Sequence, residues 1–143
     1  MRQDLIVSKS IDVNANLSTV WQALTTPEII KEYLFGTETV TDWQVGSPII
    51  FQGEYEGHIY QDKGVILENI LNEQLTYSYW SGFSGVEDKP ENQSIITYTL
   101  TKIGDNQTRF TWTQKGYATE EVYHHSKDGM DEFLEQIKGI MER

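Results

Sequence analysis

Cysteine is absent from this sequence. That rules out a disulfide framework, thiolate metal ligands and a cysteine nucleophile. Long apolar runs are missing as well: no stretch approaches the roughly 20 residues that a membrane-spanning helix needs. The opening MRQDLIVSKSIDV carries charges inside its short apolar run and does not read as a signal peptide, so a soluble cytoplasmic protein is expected. Basic residues are sparse, 11 Lys and Arg against 22 Asp and Glu, for a formal net charge of -11. They are scattered singly, with no basic stripe beside aromatics. Nucleic-acid binding, which draws its affinity from neutralised phosphates, is therefore not expected, nor is attraction to an anionic membrane surface. Repeats, low-complexity tracts and linkers are lacking too, so the chain reads as one domain, residues 1–143.

What is present is aromatic: 4 Trp, 8 Tyr and 5 Phe, most of them in runs of strand character. Residues 5–13 are rich in β-branched side chains and predict a first strand. Asn14-Ala15-Asn16 breaks it, and Ser18 is placed to cap a helix with Val20, Trp21 and Leu24 as its apolar stripe. Thr25-Thr26-Pro27 then stops that helix and starts another. Thr26 is the expected cap, and Pro27 takes the first helical position, where its missing N–H costs nothing. Ile29, Ile30, Tyr33 and Leu34 give the second helix its own stripe.

Strand signals dominate from about residue 37 to 117. The segments 36–43, 47–57, 58–70 and 75–80 are separated by short turns, and a Gly-, Ser-, Asp- and Pro-rich loop covers 81–93. Residues 94–103 alternate with period two, placing Ile96, Tyr98 and Leu100 on one face and Thr97, Thr99 and Thr101 on the other. Residues 108–116 set Phe110, Trp112 and Gln114 against Arg109, Thr111 and Thr113 in the same way. One apolar and one polar face is the pattern of an antiparallel sheet solvated on one side. Thr119 caps a long final helix, about 119–142, with Glu120 and Glu121 at the positive end of its dipole. Its stripe of Val122, Ser126, Met130, Phe133, Leu134, Ile137 and Met141 suits it to cover the sheet's apolar face.

The order of elements and four stretches of residues resemble the START-like (SRPBCC) superfamily, an α+β class with the helix-grip fold. Within it they are most similar to the homologues of the activator of heat-shock-protein ATPase. Val20-Trp21, Ala23-Leu24-Thr25 and Pro27-Glu28 match the family's V-W-x-A-L-T-x-P-E. Gly64 to Glu68 resembles its G-x-V-L-E strand, Leu75 to Tyr79 its leucine-then-aromatic strand, and His125 to Leu134 its His, Gly-Trp and spaced leucines. The chain departs from the pattern at Met130 and Tyr33, where tryptophan is common, and at Thr26, where Asp often precedes the proline. The resemblance implies a curved sheet of about six or seven strands wrapped on the C-terminal helix, with the two short helices closing one edge. It also implies an apolar cavity. Members bind lipids, hormones or polyketides, a few catalyse, and one branch stimulates a chaperone.

Catalytic patterns are weak. His124 and His125 are adjacent and point about 100° apart on a helix, and His125 with Glu121 gives only two ligands, so no metal site is expected; His58 stands alone. Ser81-Gly82-Phe83-Ser84-Gly85 lacks the spacing of a nucleophile elbow, and the glycine-rich phosphate motifs are missing, so no cofactor is expected. Among Glu54, Glu56, Asp62 and Glu68, Glu68 shares parity with Ile66 and Ile70. On an unbroken strand it faces the cavity, where burial would raise its pKa toward that of a useful base; a bulge or a polar partner would leave it structural.

The expected function is therefore binding of a small hydrophobic or amphipathic molecule, with catalysis disfavoured. Tyr77, Tyr79, Tyr98, Phe110 and Trp112 would form the sheet wall, opposite Met130, Phe133, Leu134 and Ile137. Gln114 and Glu68 would supply polar anchors. The alternatives are a chaperone-activating interaction module, a homodimer among its possible assemblies, and a cyclase or dehydratase acting on a hydrophobic substrate.

Overall fold

In the computed structural model, which describes residues 1–143, the chain opens with a long strand, β1 (Arg2–Val13). Two short helices follow, α1 (Leu17–Thr25) and α2 (Pro27–Tyr33). Then come β2 (Glu38–Val40), β3 (Pro48–Tyr55), β4 (His58–Ile70), β5 (Gln74–Tyr79), β6 (Ser94–Gly104) and β7 (Gln107–Tyr117). The chain closes with the long helix α3 (Glu120–Met141). The strands form one antiparallel sheet in the order β1-β7-β6-β5-β4-β3-β2. This is the helix-grip α+β architecture that the sequence predicts.

The sheet curls because β4 serves two partners. Its residues 58–65 pair with β3, and residues 66–70 pair with β5. Gly64 makes the changeover possible: a Cβ there would lie 1.7 Å from the Ser78 carbonyl oxygen, so only glycine admits this approach. Just beyond it the register slips. Ile66 faces Tyr77 but Glu68 faces Thr76, leaving Leu67 as the extra residue of a β-bulge. Bulges bend a strand and increase its twist, and beyond this one β2 packs against α2.

The joint between the two short helices is a stop and restart, as expected, but its caps differ in detail. Asn16, not Ser18, caps α1: its side chain accepts from the Thr19 N–H at 2.9 Å, which starts the helix one residue before Ser18. Thr26 occupies the N-cap position of α2 through its carbonyl, which receives the Ile29 and Ile30 N–H groups at 3.0 and 2.9 Å; its hydroxyl makes no cap bond. Tyr33 locks the pair from below, donating its buried hydroxyl to the Ala23 carbonyl at 2.9 Å. The strand expected over 36–43 shortens to three residues. Thr41 and Asp42 fold their side chains back onto the backbone N–H groups of Trp43 and Gln44, and Trp43 adopts φ 67.

α3 begins as predicted, with Thr119 accepting from the Val122 N–H at 3.2 Å. It lies across the concave face. Its second half carries Leu134, Ile137 and Met141 into a core shared with Val13, Val20, Leu24 and Phe110. Complete burial of a leucine or isoleucine stabilises the fold by roughly 1.5–3 kcal/mol, so this end is firmly closed. The outer face of β1, β7 and β6 is a hydroxyl ladder, with Ser8 bonded to Thr113 at 2.9 Å and Ser10 to Thr111 at 2.7 Å. No helix is long and apolar enough to cross a membrane.

Candidate functional site

The first half of α3 does not close on the sheet. Ser126 and Gly129 present little side chain on the inward face, and a Cβ at Gly129 would meet no atom within 4 Å. The space left beneath them is a cavity of about 480 Å³. That is within the range of small-molecule sites, roughly 300–1,000 Å³.

The strand registers explain where it stops. Leu100 faces Phe110, Tyr98 faces Trp112 and Ile96 faces Gln114 across β6 and β7. The first of these layers is filled by the large side chains of the second half of α3. The second and third lie under the small residues and remain open, so Tyr98 and Trp112 form the inner floor. β5 adds Tyr77 and Tyr79, β3 adds Phe51 and β4 adds Asp62. The roof is His125, Ser126, Gly129, Met130 and Phe133, and the chain after α2 contributes Leu34, Phe35 and Thr37. Exposed Phe35, His125 and Gly129 mark the mouth. Phe35 holds a left-handed φ of 55 where α2 ends, and its ring is 79% exposed.

The floor and wall are a chain of rings. Centroid separations are 5.8 Å for Tyr79–Phe51, 5.7 Å for Phe51–Tyr77, 5.7 Å for Tyr77–Tyr98, 4.8 Å for Tyr98–Trp112 and 5.1 Å for Trp112–Phe133. Most meet edge to face or tilted, the favoured geometry for ring quadrupoles. Polar groups are few. The Tyr77 and Tyr98 hydroxyls share a 2.7 Å hydrogen bond, and Tyr79 donates to Asp62 Oδ2 at 2.6 Å. Burial holds the hydroxyls of Tyr77 and Tyr98 well above the ordinary tyrosine range; for Tyr79, burial and then the bond to Asp62 act in the same direction. All three are protonated donors at neutral pH. Two buried polar atoms of wall residues have no partner: Asp62 Oδ1 and the Trp112 indole N–H. Gln114 and Tyr79 also border a second hollow of about 240 Å³, under the 81–93 loop.

Of the residues expected at the site, Tyr77, Tyr79, Tyr98, Trp112, Gln114, Met130 and Phe133 come together around this cavity. Four do not. Phe110, Leu134 and Ile137 are fully buried in the closed core behind Trp112. Glu68 points to solvent and accepts from Gln74 Nε2 at 2.9 Å, because the bulge at Leu67 reverses the strand's parity. The expectation of an inward Glu68 is thus corrected. The carboxyl group that does face inward on β4 is Asp62, on the same parity as Gly64 and Ile66 before the bulge. Phe51 alternates with Ile49 and was equally open to discovery from period two. His125 lies at the rim, with its neighbour His124 exposed, and no cluster of three or more His, Asp or Glu side chains is arranged to hold a metal.

Comparisons with known proteins agree with this architecture. The solution structure of ChR145 from Cytophaga hutchinsonii is 41% identical over 96% of this chain and 94% of that one, with a TM-score of 0.82. The Plasmodium falciparum protein PFC0360w, described as an HSP90 activator, is 15% identical, covers 96% of both chains and superposes with a TM-score of 0.74. The Aha1 dimer from Colwellia psychrerythraea is 20% identical, again over 96% of both, with a TM-score of 0.72. No curated protein matches the chain. The family model described as activator of Hsp90 ATPase homolog 1-like protein matches residues 14–142. With the helix-grip fold and the V-W-x-A-L-T-x-P-E joint both in place, the chain belongs to that family, within the START-like superfamily.

Proposed function

We propose that this protein binds a small hydrophobic or amphipathic molecule between the sheet and the first half of α3. The observation that carries the reading is the ring-lined cavity of about 480 Å³ with only a few polar groups in its wall. A mostly apolar concavity with sparse, fixed donors and acceptors is the usual form of a small-molecule site. Catalysis finds little support: Glu68 lies outside, the Asp62 carboxyl is engaged by the Tyr79 hydroxyl, and His125 stands at the rim. Native mass spectrometry of the protein as purified is the direct test. A retained mass that leaves on denaturation is expected, or one that appears on exposure to a library of amphipathic compounds. A bare protein that takes up none of them would overturn the proposal.

A second reading, an interaction module acting on a chaperone, is favoured by the family and by one surface feature. On the convex side of the β2–β3–β4 wing, Val40 faces Ile50 and Pro48 faces Val65, with exposed Leu67 beyond. These apolar side chains replace the hydroxyl ladder found on the rest of the outer face. Stimulation of an Hsp90-type ATPase, lost on Val65→Glu, would support this reading; a flat response would dismiss it. Light scattering would show in the same samples whether the chain forms a homodimer.

A further inference from the structure

We propose that the molecule in the cavity carries a protonated amine, seated against Asp62, and that anionic acyl groups are excluded. The inference rests on the cavity-binding reading above and specifies its chemistry. Asp62 is 7% exposed, and its two oxygens are treated differently. Oδ2 receives the Tyr79 hydroxyl at 2.6 Å, whereas Oδ1 of this cavity-lining residue is buried without a partner. A buried acceptor left unpaired costs free energy, and a ligand N–H would recover it.

Three further observations give that donor a positive charge. No lysine or arginine lines the cavity and its one imidazole, His125, stands at the exposed rim, so a carboxylate or phosphate seated beside Asp62 would have no permanently charged partner there. The rings of Tyr79, Phe51 and Tyr77 succeed one another beside Asp62, and their negative faces attract a cation held within about 6 Å. The chain's net charge of -11 draws cations toward it and repels anions before contact. The opposite end of the ring chain supplies a complement. The Trp112 indole N–H, also buried and unpartnered, takes a neutral acceptor such as a hydroxyl, ether or carbonyl oxygen. Asp62 on β4 and Trp112 on β7 are three strands apart and are also offset along them, since Trp112 lies in register with Tyr98, Leu75 and Asn69. The fitting molecule is an elongated amine with a neutral oxygen toward its far end.

The test uses three probes of equal length, octylamine hydrochloride, octan-1-ol and sodium octanoate, titrated into the full-length protein at neutral pH. Binding is followed by the indole N–H resonances, with Trp112 assigned through Trp112→Phe. Octylammonium is expected to shift the Trp112 signal and to bind at least about tenfold more tightly than octanoate, a difference of about 1.4 kcal/mol. In Asp62→Asn that preference should fall to about twofold or less, while octanol affinity changes by less than about threefold. Octanoate binding as tightly as octylammonium, or an unchanged preference in Asp62→Asn, overturns the amine assignment and leaves cavity binding intact. Octylammonium that shifts only exposed acidic residues overturns it as well. If no probe moves Trp112, the cavity-binding reading itself fails. Should Asp62→Asn not fold, the ranking in the wild-type protein decides alone.

Discussion

The hydroxyls of Tyr77 and Tyr98 are 2.7 Å apart in the interior, and each is the other's only hydrogen-bond partner. Two phenols bring two protons to a bond that uses one, so the pair retains a spare O–H at the cavity wall. Removing either hydroxyl, in Tyr77→Phe or Tyr98→Phe, should cost about 1 kcal/mol in urea unfolding. The double variant should cost less than the sum, by about 0.5 kcal/mol or more, because the second removal breaks nothing further. Strict additivity would show that the two hydroxyls do not act as a unit.

Tyr33, Tyr77, Tyr79, Tyr98 and Tyr117 all have hydroxyls held above the ordinary tyrosine value, burial being the first cause in each. Folding favours their protonated form, so the stability they contribute is complete below the unfolded pKa of about 10. It falls as pH rises from there toward the folded values, because the unfolded chain then binds fewer protons. Phenolate absorbance should therefore show the contribution of these five only as the chain unfolds. A smooth titration of all eight tyrosines with the circular dichroism unchanged would contradict this.

Two glycines should respond in opposite ways to the same change. Gly64→Ala places a methyl group against the Ser78 carbonyl and should destabilise by about 3 kcal/mol or more, or prevent folding. Gly129→Ala adds a methyl to an open position in the middle of a helix and should stabilise by about 0.5–1 kcal/mol. Thermal unfolding of the pair separates a sterically required glycine from one that only leaves room.

Wall, core and surface separate by substitution. Phe110→Ala should cost about 3–5 kcal/mol by opening the closed end of the core. Glu68→Ala should change stability by less than about 0.5 kcal/mol and leave binding untouched, as for an exposed side chain. Loss of binding in Glu68→Ala would restore the inward placement that the bulge has displaced.

Much of the fold was legible because local signals and tertiary context agree. Period two reads β6 and β7 correctly, since their pairing runs unbroken from Ile95 with Lys115 to Lys102 with Thr108. The cap at Thr119 and the stripe beyond it place α3 almost to the residue. Seven of the cavity's residues follow from the same two periodicities. What escaped depends on relations between distant segments. The bulge at Leu67 arises where one strand changes partners, and no property of residues 64–68 read alone reports it. That Trp112 borders space while Phe110 does not is decided by small side chains on α3, around Gly129. The two unpartnered atoms at Asp62 and Trp112 are visible only when every neighbour is known.

Leu67 acts as a dislocation in the lattice of the sheet. On its N-terminal side Asp62, Gly64 and Ile66, all even-numbered, take the inner face of β4; on its C-terminal side Glu68 pairs with outward Thr76, and it is odd-numbered Asn69 that pairs with inward Leu75. No single count along the strand assigns inside and outside to both halves. Relatives aligned through this strand must be numbered inward from each end, and a one-residue insertion or deletion here exchanges Asp62-type and Glu68-type positions without altering the fold's outline. Divergence in what such cavities hold can thus begin with a change of phase, with no change in the residues themselves.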